Sequence, residues 1–387
     1  MQRTFVFLLS LVLLPSFLPF DSYACTTFCL KNKSEVLFGK NYDWMIGDGL
    51  IFVNKRGVSK ISSEDGNPAK WVSKYGSVTF NQYGWESPSG GMNEAGLVIE
   101  LMWLDDTQYP NGDERPEVDV LEWIQYNLDT ASTTDEVIRN ADAVRIVSAV
   151  KLHYLVNDKH GNSAAIEYLD GKLVAHSGTG LLVASLANDT YARSLEYVRE
   201  RSGGLTESSL DRFSRAAART QKFQKKPLAE KEAIDYAFDA LANVAQKNST
   251  QWSIVYDQKR GRVYFRTRTQ PELKSIDTTA FDYSCTTVVK ILDINTTEDG
   301  DVTHLFTPYK REDNRDLIER SFDGTPFLKS VPDSTRDKLA RFPERFACSA
   351  NAPVTKPLDP KSQVASGLVS YLIFGVPLYY VYESVSS

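Results

Sequence analysis

Beyond a hydrophobic leader, the first hundred or so residues break into short apolar runs separated by turn residues. TTFCLKN, EVLFGKNYDW, LIFVNKRG, SVTFNQYGW and GLVIELMWL each read as a strand, the last following the turn-like GMNEAG. In VDVLEWIQYNLDTASTTDEVIRNADAV, about residues 118–144, apolar positions fall three and four apart, and this spacing predicts helix. Strands return in KLHYLVND, SAAIEYLDG and KLVAHSG, with Asp158-Lys159-His160-Gly161 as a hairpin turn. A second helical block covers LDRFSRAAARTQKFQ and EKEAIDYAFDALANVAQ. TQWSIVYDQKRGRVYFRTRT then reads as a hairpin turning at Lys259, Arg260 and Gly261, and CTTVVKILDI as a further strand.

Strands, then helices, then strands again, joined by tight turns, favour antiparallel sheets with helices packed on them over alternating βαβ units. The expected class is α+β, in one large domain over residues 25–345 with no internal repeat. A hydrophobic fraction of 42% supplies enough apolar side chain for a core of that size. Residues 346–387 form a tail in which Val364 to Tyr382 carry no charge but include Gly367, Gly375 and Pro377. A tail packed on the domain is the expectation, and a weak membrane contact through this stretch the alternative.

The leader pairs Arg3 with an apolar run from Phe5 to Leu14 and closes on Ser22-Tyr23-Ala24. That is the pattern of a secretory signal peptide over residues 1–24, with the apolar run too short to span a bilayer. Export to the periplasm or beyond is expected, and cleavage after Ala24 makes Cys25 the first residue of the mature chain. A lipoprotein signal wants an aliphatic residue three positions before the cysteine. Ser22 stands there, which disfavours lipidation at Cys25 without removing it as an alternative. Cys29, Cys285 and Cys348 allow at most one internal disulfide beside a free Cys25, and the sequence does not choose the pair.

The formal net charge of −6, with no Lys/Arg-rich run, argues against a nucleic-acid partner. GxSxG, HExxH, P-loop and GxGxxG patterns are absent. The four histidines, His153, His160, His176 and His304, show no ligand spacing, so neither a metal nor a cofactor is implied. What remains is Cys25. A cysteine at a new N-terminus carries its own base, because a free α-amine has an ordinary pKa near 7.7–8.0 and can accept the thiol proton.

CTTFCLKNKSEVLFGKNYDW resembles the start of the choloylglycine hydrolase family, the bile salt hydrolases and penicillin V acylases. Their F-G-R-N-x-D appears as Phe38-Gly39-Lys40-Asn41-Tyr42-Asp43. GMNEAGL, SLANDTY and DRFSRAA are similar to later family segments, in the family's order, over roughly residues 25–290. WVSKYGSV and LMWLDDTQYP look most like the Gram-negative penicillin V acylases.

The resemblance implies an Ntn-hydrolase αββα four-layer sandwich with two stacked antiparallel sheets, often assembled as a tetramer. It implies Cys25 as nucleophile, its amine as base, and Asp43 as the group orienting both. Asn188 by its side-chain amide and Trp103 by its backbone N–H would form an oxyanion hole, and Arg212 would brace the nucleophile. Arg215, at i+3, is expected to be structural. Trp44 and Trp103 match positions lining the acyl pocket, so the expected substrate is a small linear amide with an apolar acyl group. Penicillin V is the test compound; acyl-homoserine lactones or N-acyl amino acids are plausible natural ones. A conjugated bile salt hydrolase of the same fold is the alternative. Two departures stand out. Lys40 replaces the family's Arg, keeping charge but losing the bidentate fork. Ala187 and Asp189 replace the usual neighbours of Asn188, which together with Thr190 also forms a glycosylation sequon.

Overall fold

The computed structural model describes residues 25–200, 204–225 and 227–349. The leader and the apolar stretch from Val364 lie outside them. Among the described residues no helix is long and apolar enough to cross a membrane.

Two sheets form the centre. The first has seven strands in the order Ser185–Leu186, Thr26–Lys31, Val36–Asp43, Thr250–Asp257, Arg262–Thr267, Lys274–Asp277 and Gly300–Asp301. It is antiparallel except at its last pair. The second has nine antiparallel strands, running from Lys172–Ser177 through Leu152–Asn157, Val98–Trp103 and Pro88–Asn93 to Thr307–Pro308.

The period of two along each strand assigns its side chains to layers. In Val36–Asp43, Leu37 joins Phe28, Leu30 and Val255 under the helices Ser209–Gln224 and Glu230–Val244. Its neighbour Phe38 points the other way, edge-on to Tyr256 at 6.1 Å, into the core between the sheets. The second sheet is covered by Glu122–Thr130, whose Trp123 stacks on Tyr154 at 4.2 Å, and by Thr134–Ala143. The layers are therefore helix, sheet, sheet, helix. Arg311–Gly324 and Asp333–Arg341, which the sequence reading did not anticipate, close one side, with Leu317 packed on Leu50, Phe52 and Ile291.

Three expectations change in detail. The helix expected over residues 118–144 is two helices, because Thr133 and Glu136 form a reciprocal capping box that restarts it. GMNEAG is turn only from Glu94: Gly91, Met92 and Asn93 belong to the strand Pro88–Asn93. Gly90 and Gly91 are there for close approach, since a Cβ on Gly90 would sit 2.2 Å from the Glu100 carboxyl and one on Gly91 2.5 Å from the Val78 carbonyl oxygen. CTTVVKILDI is strand only over Lys290–Asp293, because Cys285 leaves the sheet to form a disulfide with Cys348.

That disulfide settles the open pairing. Ala347–Cys348, in the first described residues of the tail, pairs with Val58–Ile61. Cys25 and Cys29 are buried free thiols.

Candidate active site

Cys25 directly precedes the strand Thr26–Lys31, and the turn after that strand sends Val36–Asp43 back alongside it, with Thr26 opposite Asn41. This hairpin alone carries Lys40 and Asp43 to the thiol. Lys40 is fully buried. Its ammonium donates to the Leu101 carbonyl and lies 3.6 Å from Glu100 Oε2 and 3.9 Å from Met102 Sδ. Burial pushes the Cys25 thiol up, while the Lys40 ammonium and the Asp43 backbone N–H pull it back toward thiolate. Cys29 has no such cation and is pushed up to about 12, chiefly by burial.

The Asp43 carboxylate accepts from Gln246 Nε2 at 2.9 Å and from the Thr250 hydroxyl. Burial raises it to about 6, with Thr250 and Arg212 restraining the rise. Arg212 sits in the first turn of Ser209–Gln224 with no exposed surface. Its guanidinium donates to the Cys25 carbonyl at 2.8 Å, the Thr26 hydroxyl, the Glu207 carbonyl at 3.0 Å and Asn188 Oδ1 at 2.8 Å. Arginine can only donate, so the Asn188 atom facing it must be oxygen. The amide nitrogen therefore faces the Trp103 carbonyl, 2.7 Å away, a bond that uses one of its two N–H groups. Leu104 N–H bonds the Lys151 carbonyl, which makes Trp103 and Leu152 a non-hydrogen-bonded pair. The N–H and C=O of Trp103 are thereby turned away from that neighbouring strand.

A narrow cavity is lined by Cys25, Asp43, Trp44, Trp103, Tyr83 and Leu101, with Tyr42, Ser89, Leu121 and Leu152 completing the wall. Its surface is almost entirely apolar. The Trp44 indole N–H donates to Tyr83 Oη at 2.6 Å and that of Trp103 to Asp105 at 2.6 Å, so both rings are fixed at one edge.

The structure brings every expected site residue together: Cys25, Asp43, Trp44 and Trp103 on the cavity, Lys40, Asn188 and Arg212 around it. Arg215 instead donates to the carbonyls of Asn243, Gly204 and Thr206, a structural task. The sequence reading missed Tyr83 and Glu100. Glu100 had a usable signal, a lone carboxylate inside the apolar run VIELMW, since buried charges require partners.

Four layers around two stacked antiparallel sheets are the fold of N-terminal nucleophile hydrolases, and structural neighbours share it. A penicillin V acylase from Agrobacterium tumefaciens superposes with a TM-score of 0.67 and 31% identity, over 74% of this chain and 98% of that one. A variant of the conjugated bile acid hydrolase from Clostridium perfringens has the same fold, with a TM-score of 0.60 and 19% identity over 70% of this chain and 98% of that one. The penicillin V acylase of Pectobacterium atrosepticum is 26% identical over 309 residues, 66% of this chain and 81% of its own. Residues 25–199 match the family model described as linear amide C–N hydrolases, choloylglycine hydrolase family. The chain belongs to that family and is a linear amide C–N hydrolase, penicillin V acylase-like.

Proposed function

We propose that the chain hydrolyses linear amides with an apolar acyl group through Cys25, made N-terminal by removal of residues 1–24 and export. The observation carrying this reading is the Cys25 thiol on the wall of an apolar cavity with Trp103, beside the buried Lys40 ammonium, with Asn188 tied to the Cys25 carbonyl through Arg212. The α-amine takes the thiol proton and the sulfur attacks the acyl carbon. The carbonyl electron pair moves onto oxygen, where Asn188 Nδ2–H and Trp103 N–H receive it. Collapse breaks the C–N bond, the amine leaves with the proton, and a thioester remains on Cys25. Water, deprotonated by the same α-amine, then releases the acid. Asp43 orients the amine, Arg212 holds the Cys25 carbonyl and Asn188 together, and Lys40 favours the thiolate.

Trp44, Tyr83, Leu101 and Leu121 give the acyl side an aromatic and aliphatic wall, which suits phenoxyacetyl or a fatty acyl chain. The Cys285–Cys348 disulfide supports an oxidising, extracytoplasmic location. Two measurements test the reading together. Mass analysis of the mature chain should find an unmodified Cys25 first, and penicillin V should turn over faster than glycocholate, with Cys25→Ser inactive. A lipidated or extended N-terminus sinks the mechanism. Preference for glycocholate sinks the substrate assignment.

A further inference from the structure

The peptide unit that aims Asn188 is clamped at both ends. Its N–H donates to Ser209 Oγ at 2.8 Å, and its carbonyl, that of Ala187, lies 2.7 Å from His153 Nε2. A carbonyl can only accept, so Nε2 carries a proton. His153 is fully buried on the strand Leu152–Asn157, with Nδ1 3.2 Å from Glu167 Oε1. Glu167 is also buried, and the same oxygen accepts from Tyr191 N–H at 2.9 Å, at the start of the helix Tyr191–Glu200. Its second oxygen is 3.3 Å from His176 Nε2, without the alignment of a hydrogen bond. Burial opposes the Glu167 charge, but His153 and His176 outweigh it and bring the carboxyl down to about 2. Glu167 therefore holds the His153 ring from its Nδ1 side while Nε2 meets the Ala187 carbonyl.

This arrangement has a purpose the family resemblance does not assign. A peptide unit is planar, so fixing its oxygen and its N–H fixes the rotation that decides where the Asn188 side chain points. We propose that His153, oriented by Glu167, is a positioning residue for the Asn188 oxyanion donor. The proposal rests on the oxyanion reading above. His153 touches no substrate; it holds the Ala187 carbonyl so that Asn188 Nδ2 meets developing charge at the right place. Neither residue is near the other in sequence, and Ala187 is brought over by the short strand Ser185–Leu186, which pairs with Thr26–Lys31.

A double-mutant cycle on kcat tests it, with penicillin V as substrate and Tm measured for each protein. His153→Gln keeps a donor for the Ala187 carbonyl but cannot also reach Glu167, and Glu167→Gln keeps the shape while removing the charge. Each should lower kcat by about 10- to 100-fold, the scale of a sub-ångström to ångström misplacement, with KM within about twofold. Asn188→Ala should lower kcat by about 10²–10³-fold. In the Asn188→Ala background, His153→Gln should then have almost no further effect on kcat. If Asn188→Ala leaves kcat intact, the oxyanion reading falls. If it costs kcat but His153→Gln costs the same factor with or without Asn188, or lowers only Tm, the positioning proposal falls alone. If neither His153→Gln nor Glu167→Gln folds, the pair is a folding element and the proposal is likewise overturned.

Discussion

Lys40→Met is the perturbation with the most to say, because it removes one half of a buried ion pair beside the nucleophile. Lys40 has no exposed surface and Glu100 2%, with 3.6 Å between charges. Met fills a similar volume, so the change is electrostatic first. At an effective dielectric of about 20 the lost attraction is roughly 4–5 kcal/mol, and breaking a buried pair costs about 3–5 kcal/mol because the remaining charge stays buried. How much of this appears depends on Glu100, which burial raises to about 7 even with Lys40 present. The sign follows. A carboxyl whose folded pKa exceeds its unfolded one near 4.5 contributes fully below 4.5, and that contribution is lost as pH rises through 7. Over that window the loss is about 3 kcal/mol at 1.36 kcal/mol per unit.

Without Lys40 the Glu100 pKa climbs further, so at pH 5.5 Glu100 is neutral in both folded proteins, whereas at pH 8 the variant must hold it protonated against the solution, at about 1.36 kcal/mol for each unit of further rise up to that pH. Urea denaturation of both proteins at these two pH values should therefore show a much larger stability deficit at pH 8. The thiol responds as well, since the ammonium is the leading influence holding the Cys25 thiolate down in pKa. Each unit gained lowers the thiolate population tenfold, so iodoacetamide alkylation of Cys25 at pH 7 should slow by about tenfold or more. Cys29 does not confuse the reading, because it does not line the cavity and burial pushes its thiol up to about 12 with no cation to oppose it. A deficit equal at both pH values, with unchanged alkylation, would refute the paired-ammonium argument.

Two further outcomes are expected. Asp43 is raised to about 6, so kcat/KM should fall on the acid side near that pH in the wild-type enzyme. Asp43→Asn should remove that limb and lower the plateau; a limb that survives unmoved assigns the titration to another group. Cys348→Ser opens a loop of sequence separation 63, which by chain entropy is about 4 kcal/mol of stability. Its Tm should drop while kcat at low temperature stays near wild type, since the bond does not reach Cys25. An unchanged Tm would contradict this.

The share of this protein that its sequence determined is local. The period-two runs TTFCLK and VLFGKNYD encode the hairpin that sets Lys40 and Asp43 beside Cys25, because alternation and a short turn act over neighbouring residues. The ordered motifs likewise marked Asn188 and Arg212, whose partners proved to be Trp103 and the Cys25 carbonyl. Tertiary structure decided the rest, where an interaction joins positions far apart and leaves no spacing to read. Lys40 meets Glu100 only because two sheets stack, and Gly90 is a strand glycine only because the Glu100 carboxyl occupies the space its Cβ would need. Cys285 selects Cys348 over Cys29 because Cys29 points into the intersheet core, away from solvent and from either partner. His153 looks in sequence like one more core residue of KLHYLV; it gains its meaning when a strand from the opposite sheet delivers the Ala187 carbonyl to its ring. Burial makes these contacts obligatory, since a polar group removed from water must find its partner wherever the fold supplies one.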